Sequence, residues 1–285
     1  MAAFLFQNVI IGLNMAAFYV LMALGLNLMF GISGIINMVH GVVYMLGAYG
    51  VFYLCQSMGL NFFLALLVMM ASLGLVGMVV EKVFFRMIEG SFAPYVVLTL
   101  ALMVLVESLA YLGFGVSARG VAAPIGGSSA IFGMSISNYR LAIIPITGVF
   151  VLGLYYLIYK TKVGTAIRVI EENKVAGELQ GINVDRINAL VFFLGFSLAA
   201  AAGGLISPIY ALTPSMGGWP LFKAFLVIII GGLGSVVGAV LGSLVVGLMD
   251  SLIAATLGIE LAFIIEQVLV IILLIFRPKG FLGEY

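Results

Sequence analysis

Long apolar runs separated by short polar stretches dominate the chain. A transmembrane helix needs ~20 consecutive, mostly apolar residues. Six runs meet this requirement: 8–30, 61–85, 94–116, 139–160, 187–210 and 259–276. They predict a set of membrane-spanning helices.

Two further apolar runs are irregular. Residues 36–55 carry polar side chains near their start, and residues 221–250 are interrupted by the glycines within 231–234. A straight helix over 221–250 would be about 45 Å long and would overshoot a hydrocarbon core of ~30 Å. Two short helices or a re-entrant pair are therefore favoured, with one tilted helix as the alternative. The predicted fold is an all-α, polytopic membrane helix bundle in a single domain, residues 1–285, with about eight membrane elements.

The composition narrows the possible functions. Hydrophobic residues make up 64% of the chain and charged residues only 8%, which excludes a soluble domain of ordinary composition. The net charge of +1 leaves no basic field for nucleic acid. One cysteine and one histidine exclude an internal disulfide and a metal site of several such ligands. The N-terminus lacks the positive region of a signal peptide, so we expect a retained membrane anchor.

Basic residues are concentrated in three polar segments, 81–93, 160–186 and 277–285, which hold nine of the twelve Lys and Arg residues. The positive-inside rule places these segments in the cytoplasm. The chain must then cross an even number of times between 186 and 277. Three apolar runs lie there, so one of them, 221–250, is predicted to be broken. The remaining basic residues, Arg119, Arg140 and Lys223, face outward or line the interior. Residues 1–80 carry no charge, so the side of the N-terminus stays undetermined.

The segment 160–186 holds nine of the 23 charged residues and is longer than a simple connection. Arg168 and Glu172, like Lys174 and Glu178, stand four residues apart and can pair on a helix. Apolar residues are interleaved with the charged ones. Two interpretations stay open: a cytoplasmic helix that docks a soluble partner, and a solvated loop at the lipid headgroups.

Small residues recur every four positions in the stretch 231–247, at Gly234, Gly238 and Gly242. Such rows let helix backbones approach closely in lipid. Tight packing is the simpler interpretation, and a surface that slides during gating is compatible with it. The alanine- and glycine-rich residues 199–204 are expected to supply the facing surface.

Several polar residues are predicted at membrane depth, where they usually face the bundle interior or a water-filled cavity. They are candidates for a solute path, and the alternative is that they hydrogen-bond neighbouring helices. Two of them, Glu107 and Glu266, are acids that could bind an ammonium group, carry a proton, or pair with Arg119 or Arg140. A third acid, Asp250, is expected near the membrane interface. The candidates are Asn27, Asn37, His40, Tyr44, Glu107 and Glu266.

Residues 31–34 read Gly-Ile-Ser-Gly, and a histidine follows at position 40, a combination typical of intramembrane serine proteases. Ser33 and His40 would lie about 10 Å apart along one helix. A nucleophile and its base need a hydrogen bond of ~2.6–3.2 Å. The protease interpretation is therefore disfavoured, and it leaves the charged segment 160–186 unexplained.

Four stretches together carry a resemblance to a known family: 23–49, 161–187, 222–247 and 277–283. They resemble the permease subunits of bacterial ABC importers for branched-chain amino acids, particularly the H-type subunit. The resemblance implies a multi-pass protein of the bacterial inner membrane. It also implies a second permease subunit, two cytoplasmic ATPase subunits and a periplasmic substrate-binding protein as partners.

The resemblance further implies that 161–187 is the segment through which the ATPase subunits drive the permease. Val42 replaces an acidic or polar residue that the family often has there, which leaves the substrate preference open. The residues of the matched stretch implied in coupling are Thr165, Arg168, Glu171, Glu172, Ala176, Leu179 and Gly181.

The chain lacks a phosphate-binding Gly-x-x-x-x-Gly-Lys-Ser/Thr loop. We therefore expect no enzymatic activity and no cofactor of its own, with ATP bound by partner subunits. The predicted function is inward transport of branched-chain or related hydrophobic or aromatic amino acids by alternating access. The rival is a self-contained secondary transporter or channel, with Glu107 or Glu266 as an ion site.

Overall fold

The computed structural model describes residues 2–34, 37–88, 92–131, 134–277 and 280–282. Within these residues the chain forms eleven α-helices and one short β-hairpin. A π-helical turn (Glu81–Phe85) and a 3₁₀ turn (Arg86–Ile88) follow the third helix. The prediction of an all-α membrane bundle is confirmed. The helices are α1 (Ala2–Ser33), α2 (Val39–Met58), α3 (Phe62–Val80), α4 (Phe92–Phe114), α5 (Asn138–Lys160), α6 (Lys162–Glu172), α7 (Lys174–Leu179), α8 (Val184–Ile206), α9 (Gly218–Gly231), α10 (Val236–Leu257) and α11 (Ile259–Phe276).

Eight of the described helices are long and apolar enough to cross a membrane: α1 to α5, α8, α10 and α11. The six uninterrupted runs each correspond to one of them. The irregular run 36–55 corresponds to α2, which begins only at Val39. The chain is thus a multi-pass membrane protein.

The other irregular run, 221–250, is divided between α9 and α10, as its glycines predict. Gly232 and Gly234 adopt φ angles of 105° and 81°, a region that favours glycine. Ser235 then caps α10, because its side chain accepts a hydrogen bond from the Gly238 N–H at 3.0 Å. With 14 residues, α9 is about 21 Å long. It is too short to cross a hydrocarbon core of ~30 Å alone.

The small-residue stretch 231–247 folds back on itself. A Cβ at Gly238 would collide with the carbonyl of Gly231, and one at Gly242 would lie 2.5 Å from the carbonyl oxygen of Val227. The glycines of α10 therefore bring its backbone against α9. Gly234 does not belong to this helical row, because it lies in the break before α10 begins.

The residues 199–204 do not face that stretch, so this expectation was wrong. They form the fully buried end of α8 and pack against α2 and α3. A Cβ at Gly203 would meet the carbonyl of Tyr44, and one at Gly204 would meet the side chain of Leu66. Because α10 is already packed on α9 and α1, its small residues need no surface from α8.

The three basic segments meet at one end of the bundle, which we call the basic end. Arg86 pairs with Asp185 at the start of α8, at 3.2 Å. The side chain of Glu171 lies against Gly31, near the end of α1. The Phe281 N–H donates to the carbonyl of Ile230, at the end of α9. This grouping is what the positive-inside rule requires of a single cytoplasmic surface.

The order of the helices satisfies the even count of passes between 186 and 277. The chain leaves the basic end in α8, returns through residues 207–217 together with α9, leaves in α10 and returns in α11. Because α1 ends at the basic end, its first residues lie at the other end of the bundle, which we call the distal end. The sequence had left the side of the N-terminus undetermined.

A β-hairpin before α5 was not predicted. Its strands are β1 (Ser128–Ile131) and β2 (Met134–Ser137), paired antiparallel. In the same connection, Arg119 exchanges backbone hydrogen bonds with Leu212 at 3.2 and 2.8 Å. The Arg119 guanidinium donates to the Tyr53 hydroxyl at 2.8 Å and to the carbonyl of Phe114 at 3.0 Å. These contacts close the distal end over α2 and α4.

Candidate functional site

A pocket of about 540 Å³ opens at the distal end. Its volume lies in the range of small-molecule sites. The first half of α1, the residues before and at the start of α9, and the end of α10 form its walls. The lining residues are Asn8, Ile11, Met15, Phe18, Tyr19, Tyr44, Ile206, Tyr210, Ala211, Met216, Trp219, Pro220, Asp250, Ser251, Ala254, Ala255 and Ile259.

A cluster of three charged side chains lies beside this pocket. Lys223 of α9 is fully buried, and its Nζ is 2.6 Å from Oδ1 of Asp250 on α10. The same Nζ pairs with Oε2 of Glu266 on α11. Tyr19 of α1 donates its hydroxyl proton to Oδ2 of Asp250 at 2.6 Å. Charges removed from water are tolerated only when they are paired, and here the pairing joins four helices.

The cluster reaches the pocket through Asp250. The Asp250 side chain is 17% exposed, whereas that of Glu266 is only 2% exposed. Tyr19 also lines the pocket, and the Trp219 ring centre lies 5.0 Å from the Lys223 Nζ. The Asp250 carboxylate is therefore placed where a solute can meet it.

The structure brings only part of the predicted solute path together. Tyr44 lines the pocket, and Glu266 belongs to the charged cluster. Glu266 pairs with Lys223, and not with Arg119 or Arg140, which was one of the alternatives open for this acid. Glu107 lies half-buried on α4, which packs at the periphery. Asn27 lies towards the basic end.

Asn37 and His40 do not line the pocket. Asn37 precedes α2 and accepts a hydrogen bond from the Val39 N–H at 3.0 Å, so it does not share a helix face with His40 and Tyr44. The His40 Nε2 is 3.0 Å from the carbonyl oxygen of Met22, and its Nδ1 has no hydrogen-bond partner. Ser33 donates to the carbonyl of Met29 at 2.8 Å. The Ser33–His40 hydrogen bond that a protease requires is therefore not formed.

Sequence reasoning missed the cluster as a unit. Lys223 was expected to face outward or line the interior, Asp250 to lie near the interface, and Tyr19 was not singled out. The signal was available: a charged residue within an apolar run must find a partner of opposite charge. Lys223 is the sole basic residue between 187 and 276, where Asp250, Glu260 and Glu266 are the acids.

At the basic end, α6 and α7 are two short helices with polar caps. The side chains of Thr161 and Asn173 accept hydrogen bonds from the N–H groups of Gly164 and Ala176, at 3.1 and 3.0 Å. Gly181, with a φ of 79°, ends the turn after α7. Thr161 and Asn173 both have an extended backbone, so each residue ends one helix and caps the next.

The two helices are amphipathic. Ile167 and Ile170 are buried against the bundle, whereas Val175 and Leu179 are 64% and 84% exposed. Thr165, Arg168 and Glu172 are exposed, and Glu171 and Ala176 are partly buried. The Arg168 guanidinium lies 5.3 Å from the ring centre of Tyr159. The outer surface therefore combines charged groups with apolar side chains that nothing in the described residues covers.

A second pocket, of about 260 Å³, connects α6 to the break between α9 and α10. Asn27 of α1, Arg168 and Glu171 of α6, and Gly234 of the break line it. The Asn27 Oδ1 accepts a hydrogen bond from the Gly234 N–H at 2.8 Å. A side chain of α1 thus holds the break beside α6.

These observations define a class of protein: a multi-pass helical membrane protein with a solute-sized pocket and buried charges. Within that class, the chain belongs to the family described as "Branched-chain amino acid transport system / permease component", whose model matches residues 8–277. The resemblance found from the sequence motifs is confirmed.

Known proteins agree with this assignment. The chain is 32% identical to the high-affinity branched-chain amino acid transport system permease protein LivH of Salmonella typhimurium, over 98% of this chain and 95% of the relative. It is 31% identical to LivH of Escherichia coli K12 and to the permease protein BraD of Pseudomonas aeruginosa, over the same shares. These relatives are transport permeases, which supports a non-enzymatic role. No solved structure matches the chain.

Proposed function

We propose that this chain is the membrane-spanning permease subunit of an ABC importer in a bacterial inner membrane. It moves branched-chain or related hydrophobic or aromatic amino acids inward by alternating access. Its partners are a second permease subunit, two cytoplasmic ATPase subunits that bind the ATP, and a periplasmic binding protein. The single domain, residues 1–285, contributes the solute path. Its segment 161–187 contributes the docking site for the ATPase subunits.

The observation that carries the proposal is the exposed surface of α6 and α7 on a chain of this family. A carboxylate, a guanidinium and the uncovered Leu179 together fit the groove of a soluble protein. A loop resting in lipid headgroups would not need two capped helices with an uncovered apolar side chain pointing away from the bundle.

Contacts inside the bundle provide a route from this surface to the pocket. Glu171 lies against Gly31 of α1, and Asn27 of α1 holds Gly234 in the break. A displacement of α6 therefore acts on α1 and on the junction of α9 with α10. Those same helices carry Tyr19, Lys223 and Asp250 at the pocket. ATPase movement at the basic end is thus transmitted to the distal pocket by packed helices.

The docking surface is tested with Leu179→Asp in the reconstituted importer. Burial of a leucine side chain is worth ~1.5–3 kcal/mol, so binding of the ATPase subunits should weaken about tenfold or more. The matched control is Val116→Asp, at a position 80% exposed in the connection after α4. Equal recovery of the ATPase subunits with both variants would contradict the docking role.

The charges of α6 are tested with Arg168→Glu and Glu172→Arg. Each reversal should separate ATP hydrolysis from uptake while the chain still inserts, because the docking surface is electrostatically specific. ATP hydrolysis and leucine uptake are measured in the same proteoliposomes. Unchanged coupling in both variants would remove these residues from the proposed role.

A self-contained secondary transporter is the second candidate, and the buried cluster of Lys223, Asp250 and Glu266 is the observation that favours it. Midplane charges and broken helices are common in such proteins. The purified chain without ATPase subunits decides between the two. Leucine uptake by this chain alone in liposomes, driven by an ion gradient, would replace the proposed function.

A further inference from the structure

The distal pocket combines an aromatic wall with a single charged group. Five aromatic residues line it, and among the lining residues Asp250 alone is ionisable near neutral pH. The rest of the wall is largely aliphatic, with Met15 and Ile206 as examples. Aromatic rings and a carboxylate are the two groups that attract an ammonium ion in a partly dry site. The lining residues provide no basic group for an anion. The aromatic residues are Phe18, Tyr19, Tyr44, Tyr210 and Trp219.

The charges behind the wall strengthen this preference. Lys223 is shared between Asp250 and Glu266, so one ammonium group faces two carboxyl groups. The Glu266 Oε1 is buried and has no hydrogen-bond partner. Asp250 is the acid of this cluster that reaches the pocket, so an ammonium group there can approach its carboxylate. Because interactions between charges strengthen as the surroundings become less polar, this approach is stabilised more in the pocket than it would be in water.

We propose that the distal pocket binds the ammonium group of the transported amino acid against Asp250, with the apolar side chain of the solute along the aliphatic wall. This inference rests on the proposed function, because that function makes the solute an amino acid. Asp250 is then a residue that selects for the ammonium group. Tyr19 and Lys223 position its carboxylate through the two hydrogen bonds described above.

The test labels the pocket in the assembled importer. Cys55 is the single cysteine of this chain, so the background is Cys55→Ser in complexes whose other subunits lack cysteine. Ala255→Cys then introduces a thiol at an exposed position of the pocket wall. The thiol is treated with a cationic methanethiosulfonate, which carries a trimethylammonium group, and with an anionic one, which carries a sulfonate. Rates are normalised to those of a free thiol.

The cationic reagent should react about tenfold faster, because a cleft of one charge concentrates the opposite charge. Asp250→Asn should remove most of this preference. The matched control Glu107→Gln removes an acidic group of α4 that does not line the pocket, and it should leave the preference unchanged. If the two reagents react at equal rates while Asp250 is intact, the cluster does not attract cations. That result would overturn the proposal.

A second measurement does not depend on the stability of the Asp250 variant. Leucine and 3-methylbutylamine, which both carry an ammonium group, should slow labelling of the Ala255→Cys thiol. 4-Methylpentanoate, which has the carbon chain of leucine without the ammonium group, should not. Equal protection by 4-methylpentanoate would overturn the proposal.

ATP-driven leucine uptake by the same complexes separates the two ideas. If the complexes take up leucine but the two reagents label the thiol at equal rates, this inference is wrong and the proposed function stands. If only the compounds with an ammonium group protect the thiol but the complexes show no ATP-driven uptake, the proposed function is wrong and the binding site stands.

Discussion

Replacing Lys223 with methionine should destabilise the bundle strongly. The substitution keeps the length of the side chain but removes the ammonium group that Asp250 and Glu266 share. Two carboxyl groups of α10 and α11 are then left buried without their cation. Removing one partner of a buried pair costs ~3–5 kcal/mol, a large part of the ~5–15 kcal/mol by which domains are stable. The ratio of folded to unfolded protein should fall by roughly two to four powers of ten.

A compensated variant shows whether the charge is the cause. Lys223→Met together with Asp250→Asn and Glu266→Gln removes all three charges at similar side-chain volumes. Replacement of a whole buried ionic group is often close to neutral, so this variant should recover most of the lost stability. Unfolding is followed by titration of the purified complex with dodecyl sulfate in mixed micelles. A single Lys223→Met variant as stable as the parent, or a triple variant as unstable as the single, would refute the pairing argument.

Three other substitutions test separate contacts. Gly238→Leu should lower assembly, because the new side chain overlaps the carbonyl of Gly231 and overpacking costs ~1–3 kcal/mol; parental complex yield would contradict the packing of α10 on α9. Asn27→Ala should reduce uptake at constant ATP hydrolysis, since it leaves the Gly234 N–H without its acceptor at a cost of ~1–3 kcal/mol; parental uptake would show that this bond does not transmit movement. Ser33→Ala should leave uptake within twofold of the parent, a range worth about 0.4 kcal/mol; loss of an associated peptide cleavage would revive the protease interpretation.

The parts of the fold that follow from local pattern were predictable. Six of the eight spans follow from apolar run length, because helices in lipid must satisfy their own backbone hydrogen bonds. The break before α10 follows from Gly232 and Gly234, which adopt conformations that other residues avoid. The shared position of the basic segments follows from the positive-inside rule, which uses only loop charges.

The parts that depend on tertiary pairing were not predictable from pattern. Lys223 lies 27 residues from Asp250 and 43 from Glu266 in the chain, and nothing local specifies which acid it meets. The surface that faces residues 199–204 depends likewise on which helices close around α8. The hairpin 128–137 carries too few residues to show a strand pattern against the surrounding loop. The roles assigned to individual site residues stay predictions.

Trp219 has a practical consequence for solution work. It is the single tryptophan in the sequence, and its ring contacts the Lys223 ammonium at 5.0 Å and the ring of Phe263 at 5.1 Å. Indole emission responds to nearby charge and to displacement of water. Tryptophan emission from the isolated chain therefore arises at one wall of the cavity, so occupancy there can be titrated without attaching a dye.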